Sequence, residues 1–193
     1  MPAFSNNMEA FSIYDDPGSE MIEDYNLIGW TQDVDGDGEI TFVGDGLENL
    51  GKYYMGLSSM VQLVMGDQNQ LYVFFTSLTE TYDNGSQNYR HLWSRVSTDG
   101  GLSWGPFTDL SDDLIHIFDE FAFPSCAENT EPNSIYLICQ IDSEPGMAVA
   151  GDEDLYGDNN MVVMEVFKDE ITGIADKLAE PVFLRCFRII PTR

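Results

Sequence analysis

The sequence predicts an all-β chain. Short runs rich in β-branched and aromatic residues recur along its 193 residues, each bounded by Gly, Asp or Asn clusters that favour turns. No window carries a firm helical period. The best, "DEITGIADKLAE" (169–180), places Ile171, Ile174 and Leu178 on one face but holds Gly173 in its middle, which weakens a helix. A hydrophobic fraction of 43% with 12% aromatics supplies enough apolar surface for one packed domain.

The strands follow in order. "YNLIGWTQ" (25–32), turning through "DVDGDG" (33–38) into "EITFV" (39–43), reads as the last two strands of a sheet. "SSMVQLVM" (58–65) turns at "GDQNQ" (66–70) and returns as "LYVFFTSLT" (71–79). The loop "ETYDNGSQNY" (80–89) leads to "RHLWSRVS" (90–97), and "GPFTDL" (105–110) closes a four-strand antiparallel meander. "FAFPSC" (121–126), "SIYLICQI" (134–141) and "NMVVMEVF" (160–167) then read as the first three strands of another. The chain divides into a sheet end at about 20–44, a full sheet at about 57–110, a partial sheet at about 119–168 and an unassigned tail, 169–193. A meander of this size equals one blade of a β-propeller.

Charge narrows the partners. The net charge is −26, from 34 acids against 8 bases. Nucleic acid and anionic membrane surfaces need Lys and Arg to offset phosphate, so both are disfavoured. Cations, calcium above all, and neutral ligands fit better, as does a plain solvated acidic surface. No run approaches the ~18 apolar residues that span a bilayer, and "MPAFSNNMEAF" has neither the basic nor the apolar region of a signal peptide. Cys126, Cys139 and Cys186 form no CxxC pair and have no zinc-ligand spacing. Cys139, inside a strand run, reads as a buried inert thiol. Phosphate loops, HExxH, GxSxG and dinucleotide fingerprints are absent from the sequence.

Between the third and fourth strands of the central meander stands "RVSTDGGLSW" (95–104). An Asp in a tight turn accepts backbone N–H groups, Gly permits positive φ, and a Trp opening the next strand buries its ring. Ser97-Thr98-Asp99-Gly100-Gly101-Leu102-Ser103-Trp104 resembles the Asp-box, or bacterial neuraminidase repeat, with pattern S-x-D-x-G-x-T/S-W. That motif joins the third and fourth strands of blades in sialidase-like β-propellers. The flanking copies depart from it: the first hairpin ends in Phe42 rather than Trp, and "KDEITG" has no box.

The resemblance implies a sialidase-like β-propeller, with this chain an arc of roughly two to three four-stranded antiparallel blades. It implies structural roles for Ser97, Asp99, Gly101, Ser103 and Trp104, on the face opposite a ligand site. It implies a secreted or cell-surface setting, a glycan or cell-surface polysaccharide as ligand, and further blades in a longer parent chain, since closure takes about six. On the ligand face lie the loops 80–89, 111–120 and 143–159, with Tyr82, Asp83, Tyr89, Arg90, His116, Asp119, Glu120, Glu144, Asp152, Glu153, Asp154 and Tyr156. Arg90, His116, Asp83 and Tyr156 suit ligand contact. By the family's chemistry, Tyr82 or Tyr89 with Glu80 or Glu144 would be a nucleophile pair, and Asp119 with Glu120 the acid/base.

The family's enzymes also hold the substrate carboxylate with three arginines. Of Arg90, Arg95, Arg185, Arg188 and Arg193, only Arg90 falls near the ligand face. "FRIIP" (187–191) is similar to the Phe/Tyr-Arg-Ile-Pro element of sialidases, but has an extra Ile and lies at the wrong end of the domain. The acidic face would repel an anionic sugar. The expectation is therefore a glycan-recognising segment whose residues do not support catalysis. The alternatives are part of an active exo-α-sialidase or other glycoside hydrolase, and an adhesin or scaffold that binds proteins.

"DVDGDGEI" (33–40) carries the second chemical signal. Asp33, Asp35 and Asp37 alternate and precede Gly38, matching the first half of an EF-hand-type calcium loop. The twelfth position is Gly44 instead of Glu. A calcium-stabilised hairpin and a plain acidic turn both fit.

Overall fold

Alternation along the strands decides which side chains meet, because successive residues of a strand face opposite sides of its sheet. The computed structural model describes residues 10–11, 28–43, 56–146, 159–172 and 185–189. β1 (Ala10–Phe11) pairs with β2 (Gly29–Trp30). β3 (Ser58–Met65), β4 (Leu71–Asp83), β5 (Asn88–Ser97) and β6 (Thr108–Asp109) form an antiparallel sheet in chain order. β7 (Glu120–Cys126), β8 (Ser134–Asp142), β9 (Asn160–Phe167) and β10 (Arg185–Ile189) form a second sheet of the same topology. One short helix, α1 (Lys168–Thr172), follows β9. No helix among the described residues is long and apolar enough to cross a membrane.

The two sheets share one core. Val64, Tyr72, Phe74, Leu92 and Val96 of the first sheet pack with Phe121, Ile135, Leu137, Cys139, Val162, Met164 and Val166 of the second. Each such side chain contributes about 1.5–3 kcal/mol relative to exposure. Val73, Phe75 and Trp93 occupy the other side of the first sheet, with Ile28, Trp104 and Phe107. The first sheet is thus covered on both faces, which accounts for the unbroken apolar run of β4. In β8 only alternate residues, from Ile135 to Ile141, are buried.

The first strands of both sheets carry the same device. β3 is bulged between Ser59 and Gln62, with Met60 at φ 56°; β7 is bulged between Ala122 and Ser125, with Phe123 at φ 52°. The Phe123 N–H meets Met60 Sδ, so the bulges abut. Gly66, in the turn after β3, has no room for a side chain: a Cβ there would sit 2.7 Å from the Tyr72 ring.

Several boundaries differ from those the sequence predicts. Residues 39–43 form no strand, and β2 pairs with β1 instead. The reason is Glu80, a buried carboxylate that accepts the backbone N–H of Val34 at 2.9 Å and of Thr41 at 3.2 Å, holding the loop by a side chain. Glu80 is therefore a loop clamp, its carboxylate taken up by Val34 and Thr41. The long loop 80–89 shrinks to the hairpin turn 84–87, because β4 and β5 extend into it. The second sheet's fourth strand, β10, comes from the tail that the sequence left unassigned. Of the weak helical stretch 169–180, α1 covers the start and the rest lies outside the described residues.

Candidate functional site

At one end of the first sheet, the box turn closes on itself. Ser97 Oγ donates to Asp99 Oδ1 at 2.8 Å and accepts the Gly101 N–H at 2.8 Å. Asp99 accepts the Ser103 N–H at 2.8 Å and the Ser103 hydroxyl at 2.6 Å. Gly100 and Gly101 take φ of 78° and 91°, where L side chains are strained. Trp104 and Phe107 pack against the second core cluster. Arg95, beneath them, donates to Gly105 O and Ile28 O and stacks over the rings of Trp30 and Phe107.

The Ser103 hydroxyl, then the backbone N–H of Ser103 and the Ser97 hydroxyl, hold the Asp99 carboxyl down at about 2. Because the folded value lies below the ordinary 3.8, its stabilisation is present above that value and is lost as pH falls through about 2. Urea unfolding between about pH 4 and about pH 2 is expected to show a steeper loss in the wild type than in Asp99→Asn. Equal slopes would mean that Asp99 does not hold the turn.

The opposite end of the sheets gathers aromatic rings and carboxylates. Tyr82, near the end of β4, stacks at 4.7 Å on His91 of β5 and meets Phe118 edge-on at 6.3 Å. Tyr89 also meets Phe118 edge-on, at 5.8 Å. Phe118, in the loop between β6 and β7, is half exposed. The Tyr82 hydroxyl points to Asp112 at 3.4 Å, and the Tyr89 hydroxyl donates to Ser143 O at 3.1 Å. His91 Nδ1 lies 2.6 Å from Asp109 Oδ2, and its Nε2 lies 3.1 Å from Ile117 O. His116 pairs with Asp119 at 2.8 Å.

Other residues expected on this face are placed differently. Arg90 is buried, its guanidinium donating to Gly56 O, Leu57 O and Ser59 Oγ, with Nε 3.8 Å from Glu120 Oε1. It ties β5 to the start of β3 instead of facing the loops. Glu120 is buried against it and accepts the Arg90 N–H. Burial pushes the Glu120 carboxyl up to about 8, against the opposing pull of Arg90. Asp119 and Glu120 therefore do not act together: one faces His116, the other the inter-sheet contact. Asp83 closes its own hairpin by accepting the Gly85 N–H at 2.7 Å. Glu144 is exposed near Tyr89. Asp152, Glu153, Asp154 and Tyr156 lie outside the described residues.

Burial, then Asp112 and Asp109, raise the Tyr82 phenol; burial, then Glu144 and Glu120, raise that of Tyr89. Both phenols therefore stay protonated and serve as hydrogen-bond donors, to Asp112 and to Ser143 O. Sequence reasoning missed Phe118, His91, Asp109 and Asp112. His91 sits in a strand-like run that reads as core, and Phe118 had as its only signal an aromatic residue in a polar loop.

In the acidic turn 33–38, Asp33, Asp35 and Asp37 each bring a carboxylate oxygen within 4.8 Å of the others, and all three are exposed. Asp33 also accepts the N–H groups of Gly36 at 2.7 Å and Gly38 at 2.8 Å. Three oxygens this close could hold a cation. Compared with known proteins, the chain matches no family model, no curated protein and no solved structure.

Proposed function

We propose that the chain is an arc of a sialidase-like β-propeller and that it recognises glycans through the loop end opposite the Asp-box. The sheets β3–β6 and β7–β10 would be successive blades. Their equal strand order, paired bulges and shared core support this reading. The box at the third-to-fourth strand connection supports it further.

The observation that carries the function is exposed Phe118 beside partly exposed Tyr82, backed by buried Tyr89 and set among Asp112, Asp119 and Glu144. Aromatic faces stack on the C–H faces of sugar rings, and carboxylates accept sugar hydroxyls. A rigid sheet end carrying such loops is where ligands bind on β scaffolds. The carboxylates favour neutral or amine-bearing glycans over sialic acids. Arg90 and Arg95 are both bound to backbone carbonyls, so the reading is one of binding without hydrolysis.

A glycan array with the full chain tests it. Binding to neutral or amine-bearing glycans is expected, weakened about tenfold, or about 1.4 kcal/mol, in Phe118→Ala. Silence from every glycan, or full binding by Phe118→Ala, would overturn it. Turnover of a fluorogenic sialoside would favour the exo-sialidase reading. The adhesin reading has its own observation: Leu114 and Ile115, beside Phe118, are 94% and 81% exposed. It predicts an array silent throughout.

The acidic turn has a separate test. Calorimetry is expected to show calcium binding at about 10⁻⁴–10⁻³ M, in the range of weak extracellular sites, and its loss in Asp35→Ala. A wild type without heat of binding would leave a plain acidic turn.

A further inference from the structure

His91 is fully buried, and each of its ring nitrogens faces an oxygen. Ile117 O is a carbonyl and only accepts, so Nε2 carries a hydrogen. Asp109 already accepts the Ser111 N–H through Oδ1 at 2.8 Å and faces His91 through Oδ2. A neutral imidazole has a single N–H. Both contacts are therefore made only when the His91–Asp109 pair holds one proton more than a neutral ring beside a carboxylate.

We propose that this shared proton clasps the 111–119 loop onto the sheet, so that it assembles the Tyr82–Phe118–Tyr89 surface and makes ligand binding there proton-dependent. The proposal rests on the reading that this surface is the ligand site. Its geometry spans three elements: His91 on β5, Asp109 on β6, and Ile117 O in the loop, one residue from Phe118.

Removal of the proton breaks one contact in either tautomer. With Nδ1–H retained for Asp109, a ring lone pair faces Ile117 O across 3.1 Å. With Nε2–H retained, the lone pair faces the Asp109 carboxylate. A buried pair of facing acceptors is unfavourable, and the charge-assisted contact to Asp109 is the stronger one to keep. The loop is the part that yields. Two further bonds tie only the start of the loop to the sheet, the Leu92 N–H to Ser111 Oγ at 2.9 Å and the Tyr82 hydroxyl to Asp112 Oδ1 at 3.4 Å. The later amides bond locally, those of His116 and Ile117 to Asp113 O and that of Asp119 to His116 O, each at 3.0 Å. Leu114 and Ile115 point to solvent and give it little anchorage.

Other titratable groups surround the clasp. Tyr82 of β4 stacks on the ring, with its phenol raised, and Asp112 approaches that phenol. The Arg90–Glu120 pair belongs to the neighbouring residue of β5, which faces the other side of the sheet. The loop's own pair, His116 with Asp119, also gains from a proton, so it needs a separate control.

Nitrogen-detected NMR of the ring and amide hydrogen exchange of the whole chain test the clasp without any ligand. In the closed loop, Nε2 of His91 is expected to carry a proton, since it faces the Ile117 carbonyl. After correction for intrinsic exchange, protection of the Ile117 and Asp119 amides is expected to fall about tenfold between pH 6 and pH 9. Because Glu120, next to Asp119, titrates at about 8, the variants are compared in a Glu120→Gln background. There His91→Phe keeps a ring against Tyr82 and should abolish the pH dependence, whereas His116→Gln should retain it. An unprotonated Nε2 at pH 6, or protection that does not change with pH in the wild type, would overturn the proposal. The NMR measurement needs no variant, so a failure of His91→Phe to fold leaves the test intact. A proton-dependent loop in a protein that binds no glycan would instead remove the ligand reading and keep the clasp.

Discussion

Phe121→Ala is expected to lower unfolding stability by about 3–5 kcal/mol and to leave a single cooperative transition. Phe121 is fully buried on β7, paired with Ile141, inside the core that both sheets share. Truncation removes a ring at the junction, and the rigid strands around it close the cavity only in part. Phe123→Ala, two residues along the same strand but half exposed, should cost under about 1 kcal/mol. Urea unfolding checks both. Tryptophan fluorescence reports the first sheet and its cover through Trp30, Trp93 and Trp104, while far-ultraviolet circular dichroism reports both sheets. Coincident transitions are expected. Two separated transitions would mean that the sheets fold independently.

Arg90→Met is the second large effect: near neutral pH, with Glu120 protonated, it removes the donors from Gly56 O and Leu57 O, at about 1–3 kcal/mol for each buried acceptor left unpaired. Glu120 adds a pH signature. Its carboxyl, held at about 8 against an ordinary 4.5, favours the folded state while protonated. Its contribution is full below the ordinary value and is lost as pH rises through about 8. Glu120→Gln keeps an acceptor for the Arg90 N–H and should flatten the difference curve between pH 5 and pH 9. Arg90→Met should be hit harder at the upper end, where Glu120 ionises without a partner. A wild type and Glu120→Gln with parallel stability profiles would contradict this account of the pair.

What the sequence disclosed was local. β3 and β9 run as read, 58–65 and 160–167, because each is a strand-forming run between turn residues. The box was legible for the same reason: its hydrogen bonds join residues no more than four apart. The roles of Glu80, Arg90 and Glu120 were not legible, since their partners lie 46, 33 and 30 residues away. Residues 39–43 have strand-like composition, yet Glu80 holds the backbone near them by other bonds. β10 was hidden in a tail without clear alternation, and pairing with β9 makes it a strand. The end of the first sheet at the β4–β5 turn shows both sides of this. Tyr82 and Tyr89 lie near the β4–β5 turn that the sequence shows, but Phe118 joins them only after the 111–119 loop folds back.

The account stands or falls on which end of the sheets meets a ligand. NMR titration of the chain with the strongest-binding neutral or amine-bearing glycan measures that directly. The ring signals of Tyr82, Tyr89 and Phe118 should shift, and the amides of Asp99 to Ser103 should stay in place. Shifts centred on the box, with the three rings unmoved, would contradict it.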